Sequence, residues 1–225
     1  MPPGTLYLVA TPIGNLGDFT HRAVEILKTV DWIACEDTRH SKVLLDHYGI
    51  QKPLVSYFDC SEKKKAPELI RRVLSGENAA LISDAGTPGI ADPGFRLIQE
   101  ALKQNIRLEA LPGASAFLTA LVVSGLPVNR FTFEGFAPIK EGQKKKWLES
   151  LKSEPRTVIF YESPHRLLKT LTVMKEVLGD VPVVVARELT KKFEEVFRAP
   201  LSGQISHFSN KKIRGEFVVL FNLSA

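Results

Sequence analysis

The sequence predicts an α/β protein with an N-terminal parallel five-stranded sheet flanked by helices, followed by a second α/β domain with a mixed sheet. Three observations predict it. Short apolar runs alternate with amphipathic helical runs through the first half of the chain. That rhythm changes after Gly125-Leu-Pro-Val-Asn129. A chain of 225 residues with 44% apolar content is long enough to bury one large core or two smaller ones.

In the first half, strands are expected at Leu6 to Ala10, Trp32 to Cys35, Leu54 to Phe58, Ala79 to Ile82 and Ile106 to Leu111. Between them, Ala23, Leu27 and Val30 recur at helical spacing, as do Phe95, Ile98 and Leu102. Five successive βα units imply a parallel sheet covered on both faces, with ligands collecting at the carboxyl ends of its strands. After a helical run from Ala116 to Ser124, strands are expected at Phe131 to Phe136, Thr157 to Tyr161, Val181 to Ala186, Glu195 to Ala199 and Phe217 to Phe221. Long helical segments separate the first three, whereas the last two lie close enough to pair antiparallel. The boundary is expected near residue 112, dividing domains 1–112 and 113–225, which should pack closely around a cleft.

Composition narrows the class. Two cysteines, Cys35 and Cys60, lack the spacing of a zinc site or a disulfide framework, which suits a reducing cytoplasm. No apolar run approaches the roughly 20 residues that span a bilayer, and no export signal opens the chain. The first 112 residues carry 13 Lys and Arg against 14 Asp and Glu, and the remainder 17 against 11, so the halves hold net charges of −1 and +6. The surplus includes Lys144, Lys145 and Lys146, then Lys191 and Lys192, then Lys211, Lys212 and Arg214. It suits either a polyanionic partner or a solvated face. The Lys63 to Lys65 run reads as a helix surface.

The loops after the first, fourth and fifth strands carry the chemistry. Thr11-Pro-Ile-Gly-Asn-Leu-Gly-Asp18 has neither the dinucleotide spacing nor a Gly-Lys-Ser/Thr phosphate loop. It is a backbone-approach loop, or a tight connection with Asp18 or Thr20 as the next N-cap. Ser83 to Gly94 is long for a strand-to-helix link, with three Gly, two Pro and two Asp. There Asp92-Pro93 suits an N-cap and first helical position, which leaves Asp84 as the ligand carboxylate. Leu111-Pro-Gly-Ala-Ser115 turns the chain once more, with Ser115 as a cap or a cleft-facing group.

These loops, together with Cys35-Glu-Asp-Thr-Arg39, Tyr161-Glu-Ser-Pro-His-Arg166, Ala186-Arg-Glu-Leu-Thr-Lys191 and Arg214-Gly-Glu216, resemble the bacterial 16S ribosomal RNA cytidine 2′-O-methyltransferases. Those enzymes belong to the tetrapyrrole methylase superfamily. The resemblance runs from about residue 5 to residue 223. It implies S-adenosyl-L-methionine held between two domains, a homodimer, and methyl transfer to a ribose hydroxyl of 16S rRNA in the small ribosomal subunit. The cofactor contacts it implies fall on Ile13, Gly14, Asp84, Thr87, Ser115 and Ala116, with Tyr161 and Glu162 as the wall from the second domain. Arg39, Arg166, Lys144, Lys145, Lys146, Lys211, Lys212 and Arg214 are then the expected RNA contacts. Longer members of that family continue into a small helical region, whereas this chain stops at Ala225.

Methyl transfer from a sulfonium is an in-line displacement, so the acceptor oxygen must be aligned and water excluded. A ribose hydroxyl also needs a general base, or cations that stabilise the developing alkoxide. Glu188 with Lys191 is the expected base and electrostatic helper, and surface ion pairing is the plain alternative. Arg39 could clamp a phosphate while Glu36 or Asp37 orients it, or cap a helix. His165 reads as a structural hydrogen-bonding group, and no metal-ligand cluster accompanies it. A tetrapyrrole or small-metabolite methylase and a non-catalytic assembly factor are the competing functions.

Overall fold

The computed structural model describes residues 2–224, with the side chains at positions 59–61 outside the description. The Cys60 thiol, expected to be unpaired, therefore lies outside the described residues. The chain forms two compact units, Met1–Ser115 and Ala116–Ala225.

In the first unit, strands β1 (Thr5–Val9), β2 (Trp32–Cys35), β3 (Leu54–Ser56), β4 (Ala79–Ile82) and β5 (Arg107–Leu111) form one sheet in the order β3-β2-β4-β1-β5. Every pairing is parallel. Strands β2 and β4 are buried at every residue, as expected for parallel strands covered on both faces. Helices α1 (His21–Thr29) and α2 (Thr38–His47) pack on one face through Ala23, Leu27 and Leu45. Helices α3 (Asp59–Leu74) and α4 (Phe95–Lys103) cover the other through Ala66, Leu69, Leu97 and Ala101. The chain therefore reverses its winding between β1 and β4, which aims the loops after these adjacent strands at one place.

Helix starts follow side-chain chemistry in one case and depart from expectation in another. Thr20 caps α1, its hydroxyl accepting from the Ala23 N–H at 3.1 Å. Asp18 instead ends a short 3₁₀ turn, Leu16–Asp18. Thr20→Ala should therefore cost about 1 kcal/mol of unit stability, measured as a shift in denaturant midpoint at constant slope. Helix α4 begins later than Asp92-Pro93 predicts. Gly94 is its N-cap, and the Gly94 N–H is satisfied from outside, donating to Glu62 Oε1 of α3 at 2.7 Å. Its buried stripe also differs from the expected one. Leu97 and Ala101 face the sheet, while Phe95 and Leu102 are exposed, because the small Ala101 allows close helix-to-sheet approach on that side.

In the second unit, strands β6 (Phe131–Phe136), β7 (Thr157–Glu162), β8 (Pro182–Arg187), β9 (Glu195–Pro200) and β10 (Phe217–Phe221) take the order β6-β7-β10-β8-β9. The β6–β7 pairing is parallel and the other three are antiparallel, a mixed sheet. Helices α6 (Glu141–Ser150), α7 (Leu167–Leu178) and α8 (Leu201–Ser209) pack on one face around Leu148, Leu171, Met174 and Phe208. Helix α5 (Ala116–Ser124) lies against β7, β8, β9 and β10.

The expected pairing of the last two strands does not occur. Helix α8 intervenes, carrying the chain back across the sheet, and β10 inserts between β7 and β8. The reason is burial. All five β10 residues are buried, a run that needs cover on both faces and a neighbour on each edge, whereas the half-buried β6 and β9 suit the sheet margins. Among the described residues, no helix is long and apolar enough to cross a membrane.

Candidate functional site

In the first unit, the parallel register brings Val9, Ile82, Leu111 and Cys35 to one edge of the sheet, so the loops after β1, β4, β5 and β2 emerge together. Hydrogen bonds join them. Thr11 and Gly86 exchange backbone hydrogen bonds at 2.9 and 3.0 Å, and the buried Thr11 hydroxyl donates to Ser83 O at 3.0 Å. The Thr87 hydroxyl donates to Ala114 O at 3.3 Å, joining the β4 loop to the β5 turn. Gly113 is where the β5 turn meets the β1 loop, since a Cβ there would lie 2.7 Å from Ala10 Cβ. Only glycine allows that approach.

Within this cradle the expected residues take distinct positions. Gly14 is exposed on the β1 loop, but the Ile13 side chain is buried beside Gly86 and offers a ligand only its backbone. Half-buried Asp84 accepts from the Asp37 N–H at 3.3 Å, so it also holds the β2 loop in place, and its other carboxyl oxygen keeps its acceptor capacity. Ser115 closes the first unit and Ala116 opens the second. Asp37 is the N-cap of α2, accepting from the Arg39 N–H at 2.9 Å and from the Arg39 guanidinium at 3.1 and 2.7 Å. The Arg39 side chain hydrogen-bonded to Asp37 holds that carboxyl well below the usual carboxylate range. Arg39 thus presents a pre-oriented, 90% exposed cation. Burial pushes the Cys35 thiol up, which makes it an inert core group.

In the second unit, Phe136 pairs with Tyr161, Phe217 with both Glu162 and Arg187, and Arg187 with Glu195. The segments after β6, β7 and β8 and those before β9 and β10 therefore share one edge. Glu188 follows β8 directly. Its Oε1 accepts from Lys191 Nζ at 2.9 Å and from the Glu216 N–H at 3.0 Å, and Lys191 also reaches Glu216 Oε2 at 2.9 Å. Gly215 makes this possible at φ 96°, because a Cβ there would sit 2.5 Å from the Glu188 carboxyl group. Burial alone would raise the Glu188 carboxyl, but Lys191 and then the Glu216 N–H outweigh it and hold it below the usual range. Lys191 mirrors this behaviour: burial works to lower its ammonium, and the bonds to Glu188 and Glu216 raise it above the usual value.

Three expectations need correction. Lys144 is not part of a basic surface, because its side chain is 3% exposed. Its ammonium donates to the Thr170 hydroxyl at 2.5 Å, which donates to Glu162 Oε2 at 2.5 Å. The Glu162 carboxylate in turn is fully buried and satisfied, by Arg166 Nη2 at 2.6 Å and the Ser163 N–H at 2.8 Å, so its side chain cannot wall a ligand. Arg166 is spent on Glu162 and on Ala137 O rather than held out for a phosphate. A buried carboxylate attracts cations inward because an unpaired one is far more costly. Among the remaining basic residues, Lys145 pairs with Glu176 at 2.9 Å and Lys211 with Glu195 at 3.2 Å, while Lys146, Lys212 and Arg214 are exposed. Tyr161 packs edge-on against Phe133 and Phe136, with centroids 4.9 and 5.5 Å away. Thr170, Gly215 and Glu216 escaped the sequence reading as working parts. Gly215 and Glu216 stood in the sequence only as part of the Arg214-Gly-Glu216 motif, without a role, and nothing local marks Thr170.

Known proteins are similar to this chain in sequence and in fold. The family model for Tetrapyrrole (Corrin/Porphyrin) Methylases matches residues 5–203. Ribosomal RNA small subunit methyltransferase I of Xylella fastidiosa is 50% identical over 97% of this chain and 81% of its own length. The protein of the same name from Thermotoga maritima is 45% identical over 97% of this chain and 98% of its own. Among solved structures, a diphthine synthase superposes with TM-score 0.75 at 13% identity, covering 97% of this chain and 90% of its own. A cobalt precorrin-4 methyltransferase of cobalamin biosynthesis does so with TM-score 0.69 at 17% identity, covering 98% and 95%. The two structures share the fold, and the sequence relatives narrow the assignment within it. This chain belongs to the tetrapyrrole methylase family and, inside it, to the ribosomal RNA small subunit methyltransferase I group.

Proposed function

We propose that the protein is an S-adenosyl-L-methionine-dependent methyltransferase that acts on the 2′-hydroxyl of a cytidine ribose in 16S ribosomal RNA, as a cytoplasmic homodimer. The observation that carries the reading is the ionised Glu188–Lys191 pair, on the same edge of the second sheet as the exposed cations Lys212 and Arg214. A carboxylate, an ammonium and a polyanion-attracting margin are what a ribose hydroxyl of a nucleic acid requires of a protein.

The first-unit cradle fits the methyl donor by its chemistry. It has exposed backbone at Gly14 and oxygen acceptors at Asp84 and Thr87 suited to hydroxyl and ammonium groups. Backbone groups at Ile13 and Ser115 complete the contacts proposed for this unit. When bound, S-adenosylmethionine supplies a methyl group on a sulfonium. The remaining work falls to side chains. Glu188 Oε1 is occupied by two donors, so Oε2 takes the ribose proton, and Lys191 stabilises the developing negative charge. Arg39, with Lys145, Lys146, Lys211, Lys212 and Arg214, provides phosphate contacts, which position the RNA.

Labelled S-adenosylmethionine incubated with small subunits lacking their native methylation should transfer label to a cytidine ribose, identified by nucleoside mapping. Label on a base, or none on RNA, overturns the reading.

A further inference from the structure

The segment between β8 and β9 has a feature that the methyl-transfer chemistry leaves unused. Glu188 and Thr190 both adopt left-handed backbone angles, φ 49° and 67°. For a β-branched threonine that conformation is a true outlier. The Thr190 hydroxyl is also buried without a hydrogen-bond partner among the described residues. Strain of this kind persists only where surrounding contacts over-determine it. Here they do. The Glu188 N–H donates to Glu216 O at 3.0 Å, the Lys191 N–H to Glu188 O at 3.0 Å, and the Glu194 N–H to Lys191 O at 3.1 Å. The Thr190 N–H donates to Glu194 Oε2 at 2.5 Å, and Lys191 is clamped between Glu188 and Glu216.

The result of this bracing is an exposed tip. Phe193 is 67% exposed, and Lys192 Nζ lies over its ring, 5.8 Å from the centroid. A large ring is thus carried on a braced, strained loop and left exposed to water, not buried in the core. Around it, the exposed cations Lys192, Lys212 and Arg214 share the segments after β8 and before β10 with the exposed carboxylates Glu194 and Glu216. An aromatic face beside cations matches an unstacked nucleobase with its flanking phosphates.

We infer that Phe193 is a base-stacking residue and Lys192 its phosphate contact, together gripping a single-stranded stretch of RNA next to the Glu188–Lys191 pair. This rests on the proposed RNA ribose methylation and adds how the substrate strand is seated. The bracing fixes the backbone that presents the ring, so little ordering of the loop is required when RNA binds.

The test uses the full chain and a short single-stranded RNA carrying pyrrolocytidine, whose fluorescence falls on stacking. The parent protein and Phe193→Trp should quench it. Phe193→Ala should bind about tenfold or more weakly, from the loss of one stacked base. Lys192→Ala should reduce the slope of log affinity against log salt by about one contact. No quenching by the parent, or parent-like quenching by Phe193→Ala, overturns the inference. So does a change of sedimentation mass in Phe193→Ala without loss of RNA affinity, which would make the ring a protein contact. Methyl transfer to small subunits is scored separately: quenching without ribose methylation refutes the catalytic reading alone, and methylation without a Phe193 effect refutes the stacking alone.

Discussion

Glu162→Ala is expected to destabilise the protein by about 3–5 kcal/mol, the usual cost of leaving a buried charge unpaired. The carboxylate is the hub of the second unit's interior network, and its loss strands Lys144, whose side chain is 3% exposed. Burial already pushes the Lys144 ammonium down against the pull of Glu162, so without that carboxylate the lysine must lose its proton or break out of the core. Arg166 suffers less, because its side chain is 23% exposed and can turn to water. The double variant Lys144→Met with Glu162→Leu should recover much of the loss, since removing both members leaves no uncompensated charge. Urea midpoints of the single and double variants measure this. A single-variant cost below about 1 kcal/mol would mean that water reaches the network.

Glu188→Gln should lower the methyl-transfer rate by about 10²- to 10⁴-fold if this carboxylate accepts the ribose proton, while cofactor affinity stays unchanged. The pH dependence carries a sign that discriminates. Lys191 and the Glu216 N–H hold the Glu188 carboxyl below the usual range, so the base form persists as pH falls and is lost only beneath the ordinary glutamate region. The stabilisation from this pair follows the same course: it is present above the unfolded-state value and disappears as pH drops through the lower folded-state value. Parent activity should then show no acid limb from this group between neutrality and about pH 5. An acid limb near pH 6 to 7 that survives in Glu188→Gln would assign the proton transfer to another group. Lys191→Met separates the two roles, because it should raise the Glu188 value and weaken alkoxide stabilisation together.

Most of the first unit was readable from local pattern. Wholly buried parallel strands such as Trp32–Cys35 and Ala79–Ile82 announce themselves as continuous apolar runs, and the glycines and prolines after them mark loops. Once five βα units were counted, the handedness of crossovers put those loops on one edge. The face of α4 was harder to read. Phe95, Ile98 and Leu102 have helical spacing, but Leu97 and Ala101 have it too, and which stripe turns inward depends on the sheet it meets.

The second unit shows the opposite balance. Lys144, Leu148 and Leu151 share one helical face, and two of them are plainly core. A run of three lysines therefore cannot all point to solvent, and composition alone could not say which one turned inward. Position β10 was likewise open. Its apolar run demanded full cover, yet only the long-range placement between β7 and β8 supplied that cover.

By itself the sequence determined the two α/β halves, the loops that emerge from the first sheet, and the family whose motifs those loops carry, because each depends on residues near one another in the chain. Tertiary structure alone decided which charged groups work at the surface and which brace the interior. Glu162 meets Lys144 and Thr170, and Glu188 meets Glu216, across separations set by strand order. The physical reason is that a charge takes its role from burial and partners, and both are properties of the folded neighbourhood, not of the residue type.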